Sequence, residues 1–235
     1  MTAEPLTSAP AEPHAGQRRR TSFAEGFAAR LRTATAERHS KAEHSDFMTR
    51  LMRGELDQRA YRLLLGQYRH LYAALEEVAS HLRDHPEPIT EPFLHPGLDR
   101  HAAILQDLTV LHDGASLADP ALPATDEYVR RIHATSQVPE RFLAHHYLRY
   151  LGDLSGGQAV AALMARHYEI PAEALSMYRF PELPKPKVFK DGYREMLDAA
   201  PLTEEQAKRL IEEALDGFDL NAALFAQLDG TLTTR

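Results

Sequence analysis

From Asp57 onward the large residues fall at Tyr61, Leu64, Leu65, Tyr68, Leu71, Tyr72 and Leu75. That is the three-and-four spacing of one broad face of an α-helix. The same period recurs along most of the chain, and no stretch carries a convincing two-residue alternation of β-branched residues. Helices so patterned bury their apolar faces against one another, so the expected fold class is all-α. Ser22 followed by Glu25 is a capping-box pattern that opens a run through Phe27, Leu31 and Ala34 toward His39 and Ala42. A short helix is predicted over 46–53, stopped by Gly54, and the long one capped by Asp57 ends before Pro86. Further helices are predicted over 98–111, 125–135, from Pro139 to about Gly152, over 158–168 and over 188–199. The last is predicted from the Thr203/Gln206 capping box to about Leu228. A Gly/Pro/Ala loop over 113–124 and a Pro-rich connector over 181–187 are too short to separate domains. One domain over 21–230 is expected, with a disordered tail over 1–20.

With 235 residues the chain can bury a core and still hold a cleft. It has no cysteine, which removes disulfides, thiolate metal sites and cysteine nucleophiles together. A net charge of −7 argues against a general nucleic-acid binder. No apolar run approaches the roughly 20 residues of a membrane helix. The N-terminus lacks the apolar region of a secretory signal, so a cytoplasmic protein is expected. The Arg18–Arg20 run reads as solvated charge. Monomer is the default oligomeric expectation.

Two segments carry chemistry. In the first, AERHSKAEHSDFM, His39 and Glu43 lie four apart and share a helix face. A neutral imidazole can ligate a metal through one nitrogen while its other N–H is held by a carboxylate. Taken alone, His39 is one of 13 histidines, and a plain surface pair is the competing reading. His44 lies about 100° further round and cannot serve the same point.

In the second segment, HHYLRYLGDLSGGQ, three glycines fall within six positions, yet Leu151, Leu154 and the run from Ala159 keep helical spacing. Each glycine inside a helix costs about 1 kcal/mol relative to alanine. A kinked but continuous helix fits better than a linker. Gly152 and Gly156 share a face, and a face stripped of side chains lets a large flat ligand lie against the backbone. Asp153 sits beside that strip. A phosphate-binding loop is the rival, but there is neither GxGxxG nor a Walker lysine.

Together these strings resemble the heme oxygenase family: the first its proximal helix, the second its distal-helix signature. KVFKDGYREML and GFDLNAALF extend the match, which covers about residues 22–228. The resemblance implies a helical bundle with heme sandwiched between a proximal and a kinked distal helix. It implies His39 as the iron ligand and Glu43 as its partner. It implies Gly152 and Gly156 as the close-approaching backbone, with Gly157 in the same glycine cluster. Asp153 would anchor the water network that delivers a proton, with Arg149 and Tyr147 on the polar distal side and Ser155 near the distal face. Arg32, Lys190 and Arg194 would face the propionates, with Tyr147 helping, and Phe218 and Asn221 would wall the pocket. Arg32 stands where the family pattern leads one to expect lysine.

The activity so implied is oxygen-dependent opening of heme to biliverdin, carbon monoxide and ferrous iron, with the heme both substrate and cofactor. Electrons would come from an external reductase or a ferredoxin. Arg149, Lys185, Lys187, Lys190 and Arg194 read as a basic face for an acidic donor of ferredoxin or flavodoxin type. The rival readings are a di-metal carboxylate bundle, which wants Glu-x-x-His pairs absent from this chain, and a non-catalytic heme carrier. A carrier would not need Asp153 or the glycine pair.

Overall fold

The computed structural model describes residues 26–112, 119–183 and 185–233. The expected tail, the Ser22/Glu25 cap and the first half of the 113–124 loop lie outside the described residues. Nine α-helices occur among the described residues, and no strand does. They are α1 (Phe27–Glu43), α2 (Asp46–Arg53), α3 (Gln58–Asp84), α4 (His101–Leu111), α5 (Pro123–Ala134), α6 (Pro139–His146), α7 (Gly152–Tyr168), α8 (Pro186–Ala199) and α9 (Glu204–Thr233).

Local chemistry accounts for most of the boundaries. Gly54 ends α2 at φ 75°, the left-handed conformation glycine adopts without steric cost. The Asp57 side chain accepts the Ala60 N–H at 3.0 Å and caps α3. Proline occupies the first position of α5, α6 and α8, where its missing N–H leaves nothing unpaired. At α9 the capping box is reciprocal. Thr203 Oγ1 accepts the Gln206 N–H at 3.2 Å, and Gln206 Oε1 accepts the Thr203 N–H at 3.0 Å. α9 runs on to Thr233, past the expected end near Leu228.

α9 lies along α1, α2, α5 and α6, and α3 lies along α4 and α5. The main core gathers on α3, through Tyr61, Leu64, Leu71, Tyr72 and Leu75. A second apolar cluster joins Phe27 and Leu31 of α1, Leu143 of α6, Tyr193 and Leu197 of α8 and Leu210 of α9. Leu148 and Phe189 pack against both, so the two clusters are continuous.

The helical irregularity expected at the glycines falls one turn earlier. Tyr147–Leu151 form a π-helical turn between α6 and α7, and the helix then runs regularly through Gly152, Gly156 and Gly157. A π turn carries one more residue per loop, so it widens the helix and resets the direction of α7. α9 approaches this turn closely. A Cβ on Gly217 would lie 2.6 Å from Leu148 Cδ1. Among the described residues no helix is long and apolar enough to cross a membrane.

Candidate active site

Phe27, Leu31, Thr35 and Ala42 turn α1 inward. His39 and Glu43 lie outward, with side chains 52% and 62% exposed. Their spacing brings His39 Nδ1 to 3.4 Å from Glu43 Oε2, an ion-pair contact just beyond hydrogen-bond distance. The imidazole stands edge-on to Phe218 of α9, with centroids 5.6 Å apart and planes at 76°. Nδ1 is the nitrogen turned to the carboxylate, which leaves Nε2 as the candidate ligand atom.

On α7, Gly152 and Gly156 are exposed, and a Cβ built on either would meet nothing within 4 Å. Their backbone therefore borders open space and not a neighbouring helix. Gly157 is different: it is buried, and a Cβ there would lie 2.9 Å from Tyr178 Cδ1. It lies about 100° round from Gly156 and is bare because α7 packs against the Ser176–Tyr178 turn. Grouping Gly157 with the ligand-facing strip is thus corrected by helix geometry. Ser155, next to Gly156, is exposed.

Behind the strip lies a polar network. The Tyr72 hydroxyl donates to Asp153 Oδ2. Arg149 Nε and Nη2 donate to the Tyr72 oxygen at 3.3 and 3.2 Å, and Nη1 donates to Asn221 Oδ1 at 3.3 Å. The guanidinium lies 4.2 Å over the Tyr68 ring. Burial pushes the Asp153 carboxyl above the ordinary carboxylate range, and the charge of Arg149 pulls it partly back. Burial also lifts the Tyr72 phenol well up, so it remains a donor. The Tyr150 ring stands 5.9 Å from that of Tyr72, and its hydroxyl is buried with no partner. Such a group calls for water or a ligand at the edge of the network.

Asn221 and Phe218 are one turn apart on α9, so this helix touches the histidine side and the Asp153 side together. Arg100 lies deeper. It is buried and donates to the carbonyls of Leu98 and Gly97 at 3.0 Å each, and its charge helps to hold the Asp153 carboxyl down.

A third group stands between α1 and α8. Burial lifts the Tyr147 phenol, and the charges of Arg194 and Arg32 pull it partly back. It belongs with these two arginines and is not joined to the Tyr72–Asp153 network. Arg194 and Lys187 both bind Asp191 at 2.9 Å. Lys190, half-buried, shares their helix. Arg149, grouped from sequence with the exposed Lys185 and Lys187, is only 7% exposed and points inward. It is no part of a basic surface, because Tyr72, Tyr68 and Asn221 surround its charge.

Tyr72, Tyr68 and Arg100 are site residues that sequence reasoning missed. The two tyrosines read as members of an apolar stripe, and only their placement one turn apart among leucines hinted at a polar purpose.

Among the described residues, no group of three or more histidine, aspartate or glutamate side chains could hold a metal ion. A metal bound by His39 would have to arrive with other ligands of its own, as iron does in a macrocycle. One histidine, a bare helix face and cations at one edge fit a flat ligand with charged substituents.

The family model described as heme oxygenase matches residues 25–227. Heme oxygenase 1 of Rattus norvegicus is 36% identical over 217 residues, spanning 90% of this chain and 74% of the rat protein. Heme oxygenase 1 of Synechocystis sp. is 32% identical, spanning 88% of this chain and 86% of its own. Among solved structures, Synechocystis heme oxygenase-1 in complex with heme superposes with a TM-score of 0.83 at 31% identity, covering 89% of this chain and 95% of that one. The heme oxygenase of Leptospira interrogans gives 0.81 at 32% identity, covering 86% and 100%.

Proposed function

Because this chain belongs to the heme oxygenase family, we propose that the slot between α1 and α7 seats heme with its iron on His39 and its opposite face against the Gly152–Gly156 backbone. The protein is a heme-degrading enzyme: it opens heme to biliverdin, with release of carbon monoxide and ferrous iron. Bound heme supplies both the iron that activates oxygen and the ring that is cleaved. Everything else falls to the chain.

In this reading the catalytic unit is residues 21–230. His39 Nε2 holds the iron while Glu43 orients the ring through Nδ1. Gly152 and Gly156 would leave room for oxygen beside their backbone, and Ser155 borders the same face. Asp153 holds a proton source there. Its raised carboxyl and its bond to Tyr72 keep it able to orient water, and Arg149 with Asn221 prevents the acid from swinging away. Phe218 walls the histidine side. Arg32, Lys190, Arg194 and Tyr147 would receive the two propionates. The absence of a side chain over the strip, where a Cβ meets only open space, carries this reading over that of a simple carrier.

Electrons come from outside, and the exposed Lys185 and Lys187 at the start of α8 suit an acidic ferredoxin or flavodoxin-like donor or a reductase. Reduction that slows steeply with salt is the expected sign of that docking.

The test is direct. Purified protein given heme, oxygen and a chemical or ferredoxin reductant should lose its Soret absorption and gain that of biliverdin. Heme that remains intact through many equivalents of reductant would remove the enzymatic reading and leave the carrier.

A further inference from the structure

His146 ends α6, one residue before the π turn, and its side chain lies where Phe142 and Tyr150 of the main core meet Tyr193 of the second apolar cluster. It meets Tyr193 of α8 there. His146 Nδ1 and the Tyr193 hydroxyl share a 2.9 Å hydrogen bond. The two rings stack with centroids 5.8 Å apart and planes within 14°. Both residues are buried, at 2% and 0% exposure. Tyr150 stands 4.6 Å from the imidazole on one side, and Phe93 4.9 Å from the phenol on the other. Burial, with the charge of Arg83, pushes the imidazole down to about 3, and burial lifts the phenol well up. The pair is therefore neutral throughout the working range of pH, and its bond does not come and go with a proton.

A neutral polar pair inside an apolar cluster is a poor source of stability, because each partner gives up water to make one ordinary bond. What it supplies is register: a buried donor and acceptor must meet, whereas apolar surfaces can slide. Here the register joins two particular elements. The helix of His146 continues through the π turn into the Gly152–Gly156 strip. The helix of Tyr193 carries Lys190 one turn before it and Arg194 one residue after it. α8 is tied again at its far end, where Asp198 Oδ1 accepts the Ala28 N–H at 2.8 Å, but that contact lies at the start of α1, well away from the strip.

We propose that His146 and Tyr193 are positioning residues that fix the distance between the cationic edge of the slot and the bare helix face, and thereby decide how the macrocycle is rotated in its own plane under the glycines and which meso carbon lies nearest them. The inference rests on the heme-seating reading above. Heme is nearly four-fold symmetric and apolar apart from its propionates, so rotation in its own plane is restrained chiefly by the cations that receive them. A shift of α8 relative to α7 turns the ring and leaves the His39 bond intact.

Tyr193→Phe tests this with minimal disturbance, since it removes one oxygen and keeps the stacked ring. The first measurement is the proton NMR spectrum of the ferric, cyanide-bound heme complex, whose heme-methyl shifts report ring rotation without any turnover. The second is the isomer composition of the biliverdin formed. Expected are a changed methyl pattern and a change of about three- to tenfold in the isomer ratio, the range that loss of one neutral hydrogen bond produces in a branching ratio. His146→Leu should act alike, and His146→Asn, which retains an acceptor near the place of Nδ1, should return the pattern toward wild type. A methyl pattern in Tyr193→Phe identical to wild type overturns the proposal, whatever happens to thermal stability. If Tyr193→Phe does not fold, the same criterion applies to the two His146 variants. If wild-type protein binds heme and makes no biliverdin, the enzymatic reading fails, and the methyl pattern alone still decides the positioning role.

Discussion

On α1, the proposed iron ligand and its carboxylate partner are both more than half exposed and sit 3.4 Å apart. Across the slot, Tyr72 and Arg149 are buried, and together with Asp153 and Asn221 they are linked by hydrogen bonds drawn from α3, the π turn, α7 and α9. One wall is an exposed pair on α1 with a single ring contact from α9, and it waits for its ligand to order it. The other is assembled beforehand by four elements. The difference matches the task of each wall. A metal–imidazole bond is strong enough to choose its own rotamer once iron arrives. A proton source must already be in place, because any reorganisation adds to the barrier of each turnover.

The largest effect should separate the walls cleanly. His39→Ala removes the metal bond itself. Since loss of a mere outer partner typically costs about 10–100-fold, turnover should fall by more than about 100-fold. The Soret spectrum should also change. A mutant spectrum identical to wild type would move the ligand elsewhere.

Asp153→Asn addresses the opposite wall. Heme should bind with unaltered affinity, read from the ferric Soret band, while biliverdin formation falls by about 100-fold, the lower end for loss of a positioned proton donor. pH adds a sign. A carboxyl raised in the folded state stabilises the protein on the acid side and loses that contribution as pH rises through its folded pKa. Denaturant titrations of heme-free Asp153→Asn should therefore show less loss of stability on going from acid to neutral pH than wild type.

The glycines sharpen the contrast within one helix. Gly156→Ala meets no atom in the heme-free protein and should raise its stability by about 0.5–1 kcal/mol through helix propensity. Heme binding should weaken in the same variant. Gly157→Ala runs into Tyr178 and should lower stability by about 1–3 kcal/mol. Thermal melts with and without heme read both. A Gly156→Ala protein that binds heme as tightly as wild type would mean that the strip does not face the ligand.

The smallest effect belongs to Glu43. In the heme-free protein Glu43→Gln should change stability by less than about 1 kcal/mol, as for any exposed ion pair. In the heme complex it should lower affinity by about tenfold, the low end for loss of such a partner. Equal effects in both states would reduce Glu43 to a surface partner of His39.

The sequence by itself determined the helical class, because helical periodicity and the capping residues Asp57, Thr203 and Gln206 are local and speak for their own segments. It also marked His39 with Glu43 and the bare strip of Gly152 and Gly156, since residues four apart share a face whatever surrounds them. Tertiary structure decided the rest. Gly157 and Gly156 are neighbours in sequence, yet only the approach of Tyr178 to one and open space at the other separate their purposes. Arg149 carries the same charge as Lys187, but α3 and α9 close over it and turn a surface cation into the centre of a buried network. Tyr72 reads as one more member of an apolar stripe and Tyr193 carries no signal of its own, and only the residues that meet their hydroxyls, 81 and 47 positions away in the chain, give one its place in the proposed proton-holding wall and the other its proposed place as a link between helices. Such roles depend on which distant groups meet, and spacing along a single segment carries no record of that.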